Sequence, residues 1–177
     1  MLFSGFETTG AASSRKRLTI FFSDLVGFTR LSDKLQPEEL TEMLNFYLTE
    51  MSNIALESGG TIDKYIGDAI LIFFGDPESN GHQEDAVNCV SMAINMQKRM
   101  KELRNVWIKE FGLEKPLSAR IGISTGYCSV GNFGSDSRLD YTVIGSPVNL
   151  AARLQSSCKQ DGVLLSKDTY WQVKEKF

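Results

Sequence analysis

Histidine and cysteine are scarce in this sequence. His82 is the only histidine, and the three cysteines are Cys89, Cys128 and Cys158. A multi-histidine metal cluster needs several imidazoles, and Ser-His-Asp or Cys-His catalysis needs one beside the nucleophile. Because His82 stands alone in a polar stretch, both kinds of site are disfavoured. An odd number of widely spaced cysteines is typical of a reducing compartment and argues against a disulfide framework or a zinc site. The chemistry must therefore use carboxylates, hydroxyls, backbone amides, lysine or arginine.

The sequence also lacks a basic excess and a long apolar run. Its 19 lysines and arginines and 22 aspartates and glutamates give a net charge of -3, so we expect no nucleic-acid partner. No apolar run approaches the roughly 20 residues that cross a bilayer, and we expect a cytoplasmic domain. The 177 residues, 42% of them hydrophobic, are typical of one globular domain. We predict a linker over residues 1–15 and the domain over residues 16–177.

Hydrophobic periodicity predicts the element order β-α-β-β-α-β with later additions. The predicted elements are a strand at 18–22, a helix from Pro37 to about Ala55, a hairpin of 61–65 and 69–74, a helix at 84–103, strands at 117–124 and 139–144, a helix opened by Ser146 as N-cap and Pro147, a strand at 163–165 and a last helix capped by Ser166. This order is typical of an α+β, ferredoxin-like sandwich with an antiparallel sheet.

Two aspartates stand where strands end. Asp24 follows the first strand, in the segment Phe-Ser-Asp-Leu-Val-Gly-Phe-Thr of residues 22–29, and Gly27 then exposes successive backbone amides. Amides in such a turn suit phosphate oxygens, and a neighbouring carboxylate suits a hard divalent cation. Asp68 lies at the predicted hairpin tip. Either aspartate alone is equally consistent with turn formation, but neighbouring strands can bring both together as a two-metal phosphoryl-transfer site.

A third polar group lies on the helix that follows residues 141–146. Asn149 and Arg153 are four residues apart and share one helical face. They form either a solvated face or a pair directed at an anionic transition state.

Together these segments resemble the class III nucleotidyl cyclases, the catalytic domain of adenylyl and guanylyl cyclases. The resemblance runs from about residue 18 to the last helix. Its motifs are Phe-Ser-Asp-Leu-Val-Gly-Phe-Thr, Asp-Lys-Tyr-Ile-Gly-Asp at 63–68, Arg-Ile-Gly-Ile-Ser-Thr-Gly at 120–126 and Val-Asn-Leu-Ala-Ala-Arg at 148–153. Each motif is weak alone, and their combination in this order is specific.

The resemblance implies an adenylate cyclase that converts ATP to 3′,5′-cyclic AMP and pyrophosphate, with two Mg²⁺ or Mn²⁺ ions promoting in-line attack of the ribose 3′-hydroxyl on the α-phosphate. The implied metal ligands are Asp24, Asp68 and the Leu25 carbonyl. The implied substrate-binding residues are the amides of Gly27, Phe28 and Thr29 for the triphosphate, Arg120 beside them, and Lys64 with Thr142 for adenine. The implied catalytic residues are Asn149 and Arg153, which orient the ribose and stabilise charge at the α-phosphate.

In this family the active site lies between two chains. The resemblance therefore implies a homodimer with two equivalent sites, a dimerisation arm over residues 128–140 and an upstream regulatory domain. Thr142 stands where many members have Asp, a variant associated with bicarbonate response, so we hypothesise that response here. Ser124 stands where His is frequent. The family domain usually continues through two more strands that carry a triphosphate-binding lysine, so we expect the sequence to be C-terminally incomplete.

Three other functions fit the sequence less well. Guanylate cyclases of the family typically have Glu where this sequence has Lys64, so ATP is favoured over GTP. A non-catalytic cyclase-like module that binds nucleotide or dimerises tends to lose a metal aspartate or the Asn/Arg pair, and this sequence has all four. A diguanylate cyclase needs a Gly-Gly-Asp/Glu-Glu-Phe motif, but Gly59-Gly60 is followed by Thr61.

Overall fold

A six-stranded sheet organises the computed structural model, which describes residues 13–177. Its strands are β1 (Ser13–Leu25), β2 (Thr61–Ile66), β3 (Ala69–Phe74), β4 (Ala119–Ser135), β5 (Arg138–Ile144) and β6 (Val163–Leu165). The order is β2-β3-β1-β4-β5, and all these neighbours are antiparallel. The short β6 pairs in parallel with the first part of β4. The central strand β1 therefore pairs with β3 on one side and with β4 on the other.

Helices cover both faces of this sheet. They are α1 (Phe28–Lys34), α2 (Pro37–Glu57), α3 (His82–Glu102), α4 (Arg104–Lys109), α5 (Ser146–Ser157) and α6 (Lys167–Val173). Alternate β1 residues point to opposite faces, so Phe21 packs in a large core with α2 and α3, and Ile20 packs in a smaller core with Ala151 of α5. Among the described residues, none of these helices is both long enough and apolar enough to cross a bilayer.

The α+β, ferredoxin-like fold predicted from the sequence is confirmed. The order β2-β3-β1-β4, with α2 and α3 on one face, is the βαββαβ arrangement, and β5, α5, β6 and α6 extend it. The hairpin around Gly67-Asp68 forms as predicted. Ser166 caps α6 by accepting a hydrogen bond from the Thr169 N–H at 3.2 Å.

Several predicted boundaries were wrong. β1 begins at Ser13, so residues 13–15 belong to the sheet and not to the predicted linker, whose remaining residues lie outside the described part. β4 continues through Gly126 and Gly131 because β1 and β5 pair with this stretch, and the hydrogen-bond ladder overrides the weak strand propensity of glycine. Gly145, rather than Ser146, is the residue before α5. The short helices α1 and α4 were not predicted.

The sheet is nearly closed, because its two edge strands meet. Thr142 of β5 donates a hydrogen bond from Oγ1 to Oδ2 of Asp63 in β2 at 2.6 Å. A second contact involves the buried Asp76, which accepts a hydrogen bond from the Tyr141 hydroxyl and forms an ion pair with Lys16. Polar side chains therefore hold together strands that are far apart in sheet order.

Candidate functional site

The carboxylates of Asp24 and Asp68 lie close together at the end of β1. In the antiparallel register of β1 and β3, Ser23 is opposite Ile70, so the last residues of β1 run alongside the tip of the β2–β3 hairpin. The backbone N–H of Leu25 donates a hydrogen bond to Oδ2 of Asp68 at 2.9 Å. The sheet thus joins two acidic segments that are distant in sequence, and the backbone of Leu25, whose carbonyl is the third predicted ligand, contacts Asp68 through its N–H.

Asp24 lies in an environment that disfavours its negative charge. Burial raises the pKa of Asp24 above its ordinary value of 3.8, and the charge of Asp68 raises this pKa further. Arg120 and the side-chain amide of Gln155 lower the pKa of Asp24, but they do not outweigh burial. Gln155 donates a hydrogen bond from Nε2 to Oδ1 of Asp24. A bound cation would relieve the remaining repulsion between the two carboxylates.

Arg120 lies directly opposite Asp24 in the β1–β4 pairing. Its Nη2 atom is 3.5 Å from Oδ1 of Asp24, and its Nη1 atom donates a hydrogen bond to the Ser156 carbonyl at 3.1 Å. The guanidinium therefore links β4, β1 and the end of α5. The structure therefore places Arg120, which is on β4, beside Asp24 on the neighbouring strand β1.

The turn after β1 presents backbone amides. Gly27 has φ +70°, a left-handed conformation that glycine adopts at little cost, and α1 begins at the next residue. Within the described chain, no side chain caps this helix start. The N–H groups of Gly27, Phe28 and Thr29 belong to the helix start, where amides have no partner within the helix. This segment follows Asp24 by three residues, so amides and carboxylates share one end of the sheet.

Helix α5 reaches the aspartates because β4 has a glycine beneath it. A Cβ atom at Gly122 would lie 2.3 Å from the Ala151 carbonyl oxygen and 2.4 Å from the Gln155 backbone nitrogen. Only glycine permits this close approach of the α5 and β4 backbones. The approach places Gln155, which is 2% exposed, over the end of β1 and against Asp24.

The same geometry turns Asn149 and Arg153 away from the aspartates of their own chain. At 100° per residue, Arg153 lies about 160° and Asn149 about 120° around the α5 axis from Gln155, while the two lie only about 40° from each other. Gln155 faces Asp24, and both Asn149 and Arg153 are exposed. The structure therefore places this pair on one helical face, but it does not bring the pair to Asp24 and Asp68 of the same chain.

Lys64 and Thr142 meet through a third residue, Asp63. Nζ of Lys64 is 3.8 Å from Oδ1 of Asp63, and Thr142 donates its hydroxyl to Oδ2 of the same carboxylate. Lys64 is on β2 and Thr142 is on β5, so the near closure of the sheet brings them together. This polar group is separate from the Asp24–Asp68 pair in the contacts that the structure shows.

Sequence reasoning missed two of these residues. Gln155 follows Ala151 by four residues, so it lies on the apolar face of α5, and a polar residue on an apolar face was the available signal. Asp63 gave no such signal, because its role depends on β5, which lies some 80 residues later in the chain.

The aspartate pair supplies two carboxylates at this end of the sheet. In residues 13–177, no group of three or more His, Cys, Asp or Glu side chains is placed to hold a metal ion. Mg²⁺ is usually held in proteins by one or two carboxylates together with substrate phosphates and water. Two carboxylates beside a turn of free amides match that pattern.

A large cavity lies beside the Gly27 turn but does not contain the aspartates. Its volume is about 660 Å³, and it opens between α1, the end of α3 and the loop before β4. The charged residues that line it are Arg30, Lys34, Lys101, Arg104, Lys115, Glu114 and Asp161. Because neither Asp24 nor Lys64 lines this cavity, we place the chemistry at the end of β1 and not there.

The chain is similar to known catalytic domains over nearly its whole length. Residues 11–177 match the family described as the adenylate and guanylate cyclase catalytic domain. The adenylate cyclase of Anabaena cylindrica is 39% identical over 153 residues, which are 86% of this chain and 29% of that protein. Adenylate cyclase 1 of Rhizobium meliloti is 32% identical over 94% of this chain and 25% of that protein. The chain thus spans less than a third of these curated relatives.

Solved structures show the same similarity. The adenylyl cyclase CyaB from P. aeruginosa has a TM-score of 0.90 and 55% identity, covering 93% of this chain and 84% of that one. The guanylyl cyclase Cya2 has a TM-score of 0.85 and 39% identity, covering 93% of this chain and 80% of that one. The fold is therefore that of this group of domains.

Proposed function

Because the chain belongs to the adenylate and guanylate cyclase catalytic domain family, we propose that it converts ATP to 3′,5′-cyclic AMP and pyrophosphate. One observation carries the proposal: Asp24 and Asp68 lie together at the end of β1, beside the amides that follow Gly27. A triphosphate needs cations and amide donors at one place, and this end of the sheet supplies ligands for both. The 55% identity to the adenylyl cyclase CyaB supports the choice of reaction.

The family is generally metal-dependent, and the donors present fit a hard divalent cation. Asp24, Asp68 and the Leu25 carbonyl offer only oxygen atoms, which Mg²⁺ and Mn²⁺ prefer. We propose that they hold two such ions. Bound there, the ions supply Lewis acidity that activates the ribose 3′-hydroxyl and neutralises charge on the phosphates.

The chain's own residues then bind and orient the substrate. The amides of Gly27, Phe28 and Thr29 donate to phosphate oxygens. Arg120, which already lies 3.5 Å from Asp24, adds positive charge at the same end of the sheet. Arg153 stabilises the charge that develops at the α-phosphate, and Asn149 on the same helical face orients the ribose.

We propose that the working unit is a homodimer with two equivalent sites. The orientation of α5 supports this, because Gln155 faces Asp24 of its own chain while Arg153 points about 160° away around the axis. In the proposed dimer, Arg153 serves the aspartates of the second chain. A symmetric pair in which each α5 faces the partner's β1 satisfies both chains at once. The β4–β5 hairpin over residues 128–140 is the arm that holds the partner, and a regulatory domain elsewhere in the protein controls the pair.

The base is selected by Lys64 and Thr142. An ammonium group donates to N1 of adenine, and a hydroxyl oxygen accepts from the 6-amino group. Guanine presents N1–H, which would leave Lys64 facing another donor. ATP is therefore preferred over GTP.

The test is incubation of the purified protein with ATP or GTP and Mg²⁺ or Mn²⁺, with the cyclic nucleotide and pyrophosphate quantified. We expect equimolar cyclic AMP and pyrophosphate from ATP and little product from GTP. Asp68→Asn keeps the size of the side chain and removes its charge, so we expect it to abolish turnover. Product from GTP in preference to ATP, or undiminished turnover in Asp68→Asn, would contradict the proposal.

A further inference from the structure

Asp63 occupies an irregular position in β2. Ile62 is paired with Ile72 of β3 and Lys64 with Leu71, so Asp63 is an extra residue with no opposite partner. Such a β-bulge changes the direction of the side chains that follow it. Ile72 belongs to the large core with α2 and α3, whereas Leu71 belongs to the smaller core with α5. The bulge therefore moves Lys64 to the face of the sheet that Leu71 occupies, and it places Asp63 between Lys64 and β5.

The carboxylate of Asp63 is buried, accepts two hydrogen bonds and forms an ion pair with Lys64. Its side chain is 2% exposed. Oδ2 accepts hydrogen bonds from the Thr142 hydroxyl at 2.6 Å and from the Val143 N–H at 3.3 Å, and Oδ1 lies 3.8 Å from Nζ of Lys64. Thr142 itself is only 7% exposed, so its hydroxyl has few other partners to choose from.

This contact fixes the direction of one proton. A threonine hydroxyl has one O–H and two lone pairs, so alone it can donate to a carbonyl or accept from an amino group. A carboxylate can only accept. While the Thr142 proton points at Asp63, its oxygen offers any further partner lone pairs alone. Lys64 beside it offers only donors.

We propose that Asp63 is a positioning residue for substrate selection, which holds the Thr142 hydroxyl so that the site accepts a purine with a 6-amino group and rejects one with a 6-carbonyl group. The inference rests on the proposed function, since it concerns the base of the same nucleotide. It adds a residue that does not touch the substrate. Without Asp63, the Thr142 hydroxyl turns and donates to a carbonyl as readily as it accepts from an amine.

The experiment compares kcat/KM for ATP and ITP, which differ at the 6-position and at N1. Asp63 also pairs with Lys64, which faces N1, so the double variant with Thr142 is needed to separate an effect through Lys64 from an effect through Thr142. We expect Asp63→Ala to lower the ratio about tenfold, the effect of one neutral hydrogen bond. Thr142→Val lowers it similarly, and the double variant lowers it no further, because both act through one hydroxyl. Asp63→Asn keeps an oxygen for both β5 donors and retains most of the preference.

The matched control is Tyr141→Phe, which removes another hydrogen bond from β5 to a buried carboxylate, that of Asp76. It loosens the same edge of the sheet without touching Thr142, and we expect its ATP/ITP ratio to equal that of the wild type. If Asp63→Ala does not fold, Asp63→Ser serves instead, because its hydroxyl can donate as well as accept.

An unchanged ATP/ITP ratio in Asp63→Ala, with both rates lowered equally, would show that Asp63 only joins the strands and would overturn the inference. A fall of the same size in Tyr141→Phe would do so too. Absence of cyclic product from ATP in the wild type would instead defeat the proposed function. The inference would then be judged on affinities, with ATP and ITP each displacing a fluorescent nucleotide from the wild type and from Asp63→Ala.

Discussion

The orientation of α5 makes a quantitative prediction for mixed dimers. In the proposed site, Asp24 is a metal ligand and Arg153 serves the partner chain, so Asp24→Ala and Arg153→Ala should each be inactive alone. When the two variants are mixed, a heterodimer combines the intact aspartates of one chain with the intact Arg153 of the other. One of its two sites is then complete and the other lacks both residues.

The expected recovery follows from counting sites. With equal amounts and free exchange, half of the dimers are mixed and half of their sites are complete, so activity per total protein should be about one quarter of the wild-type value. The assay is cyclic AMP formation after co-incubation, with each variant alone at the same total concentration as control. No recovery above the single variants, with mixed dimers shown by mass spectrometry of differently tagged chains, would refute a site shared between chains.

Three further predictions concern stability. Burial raises the pKa of Asp24, so the protonated carboxyl stabilises the folded protein below pH 3.8, and this stabilisation is lost as the pH rises through the raised pKa. Without metal, Asp24→Asn should therefore melt a few degrees above wild type at pH 7. The difference between the two melting temperatures should shrink as the pH falls toward 4. Mn²⁺ at about 100 times its dissociation constant should stabilise the wild type by about 2.7 kcal/mol and leave Asp68→Asn unchanged in differential scanning fluorimetry; equal shifts would contradict the metal assignment. Gly122→Ala should cost about 3 kcal/mol and lower the melting temperature by about 10 °C, because its Cβ would meet backbone atoms at 2.3 and 2.4 Å. Gly126→Ala, whose Cβ would meet the Pro147 ring at 2.8 Å, should cost less, and differential scanning fluorimetry of the two variants measures the difference.

The fold was largely predictable because local signals agree with it. The apolar positions of α2 and α3 repeat at helical spacing, and the hairpin is marked by Gly67-Asp68 between the mixed strand β2 and the wholly apolar strand β3. The length of β4 was not predictable, since its glycines weaken the strand signal and only pairing with β1 and β5 keeps it extended. Short helices such as α1 carry too few residues for a periodic pattern to be recognised.

The residues of the candidate site also fall into two groups, those that the sequence predicts and those that only the structure shows. Spacing and strand ends predict Asp24, Asp68 and the Asn149–Arg153 pair, and these signals lie within short segments. Gln155 and Asp63 depend on contacts between segments. Gln155 needs the close packing at Gly122, and Asp63 needs a bulge together with the meeting of β2 and β5. Neither the packing at Gly122 nor the β2–β5 contact can be predicted from the residues next to Gln155 or Asp63.

The most direct test is a crystal structure of the protein with Mn²⁺ and a non-cyclisable ATP analogue. We predict anomalous density for manganese between the carboxylates of Asp24 and Asp68, with the triphosphate on the amides that follow Gly27. The adenine should lie against Lys64 and Thr142 of a second chain. Manganese bound elsewhere, or a base held by the same chain that binds the metal, would contradict the account.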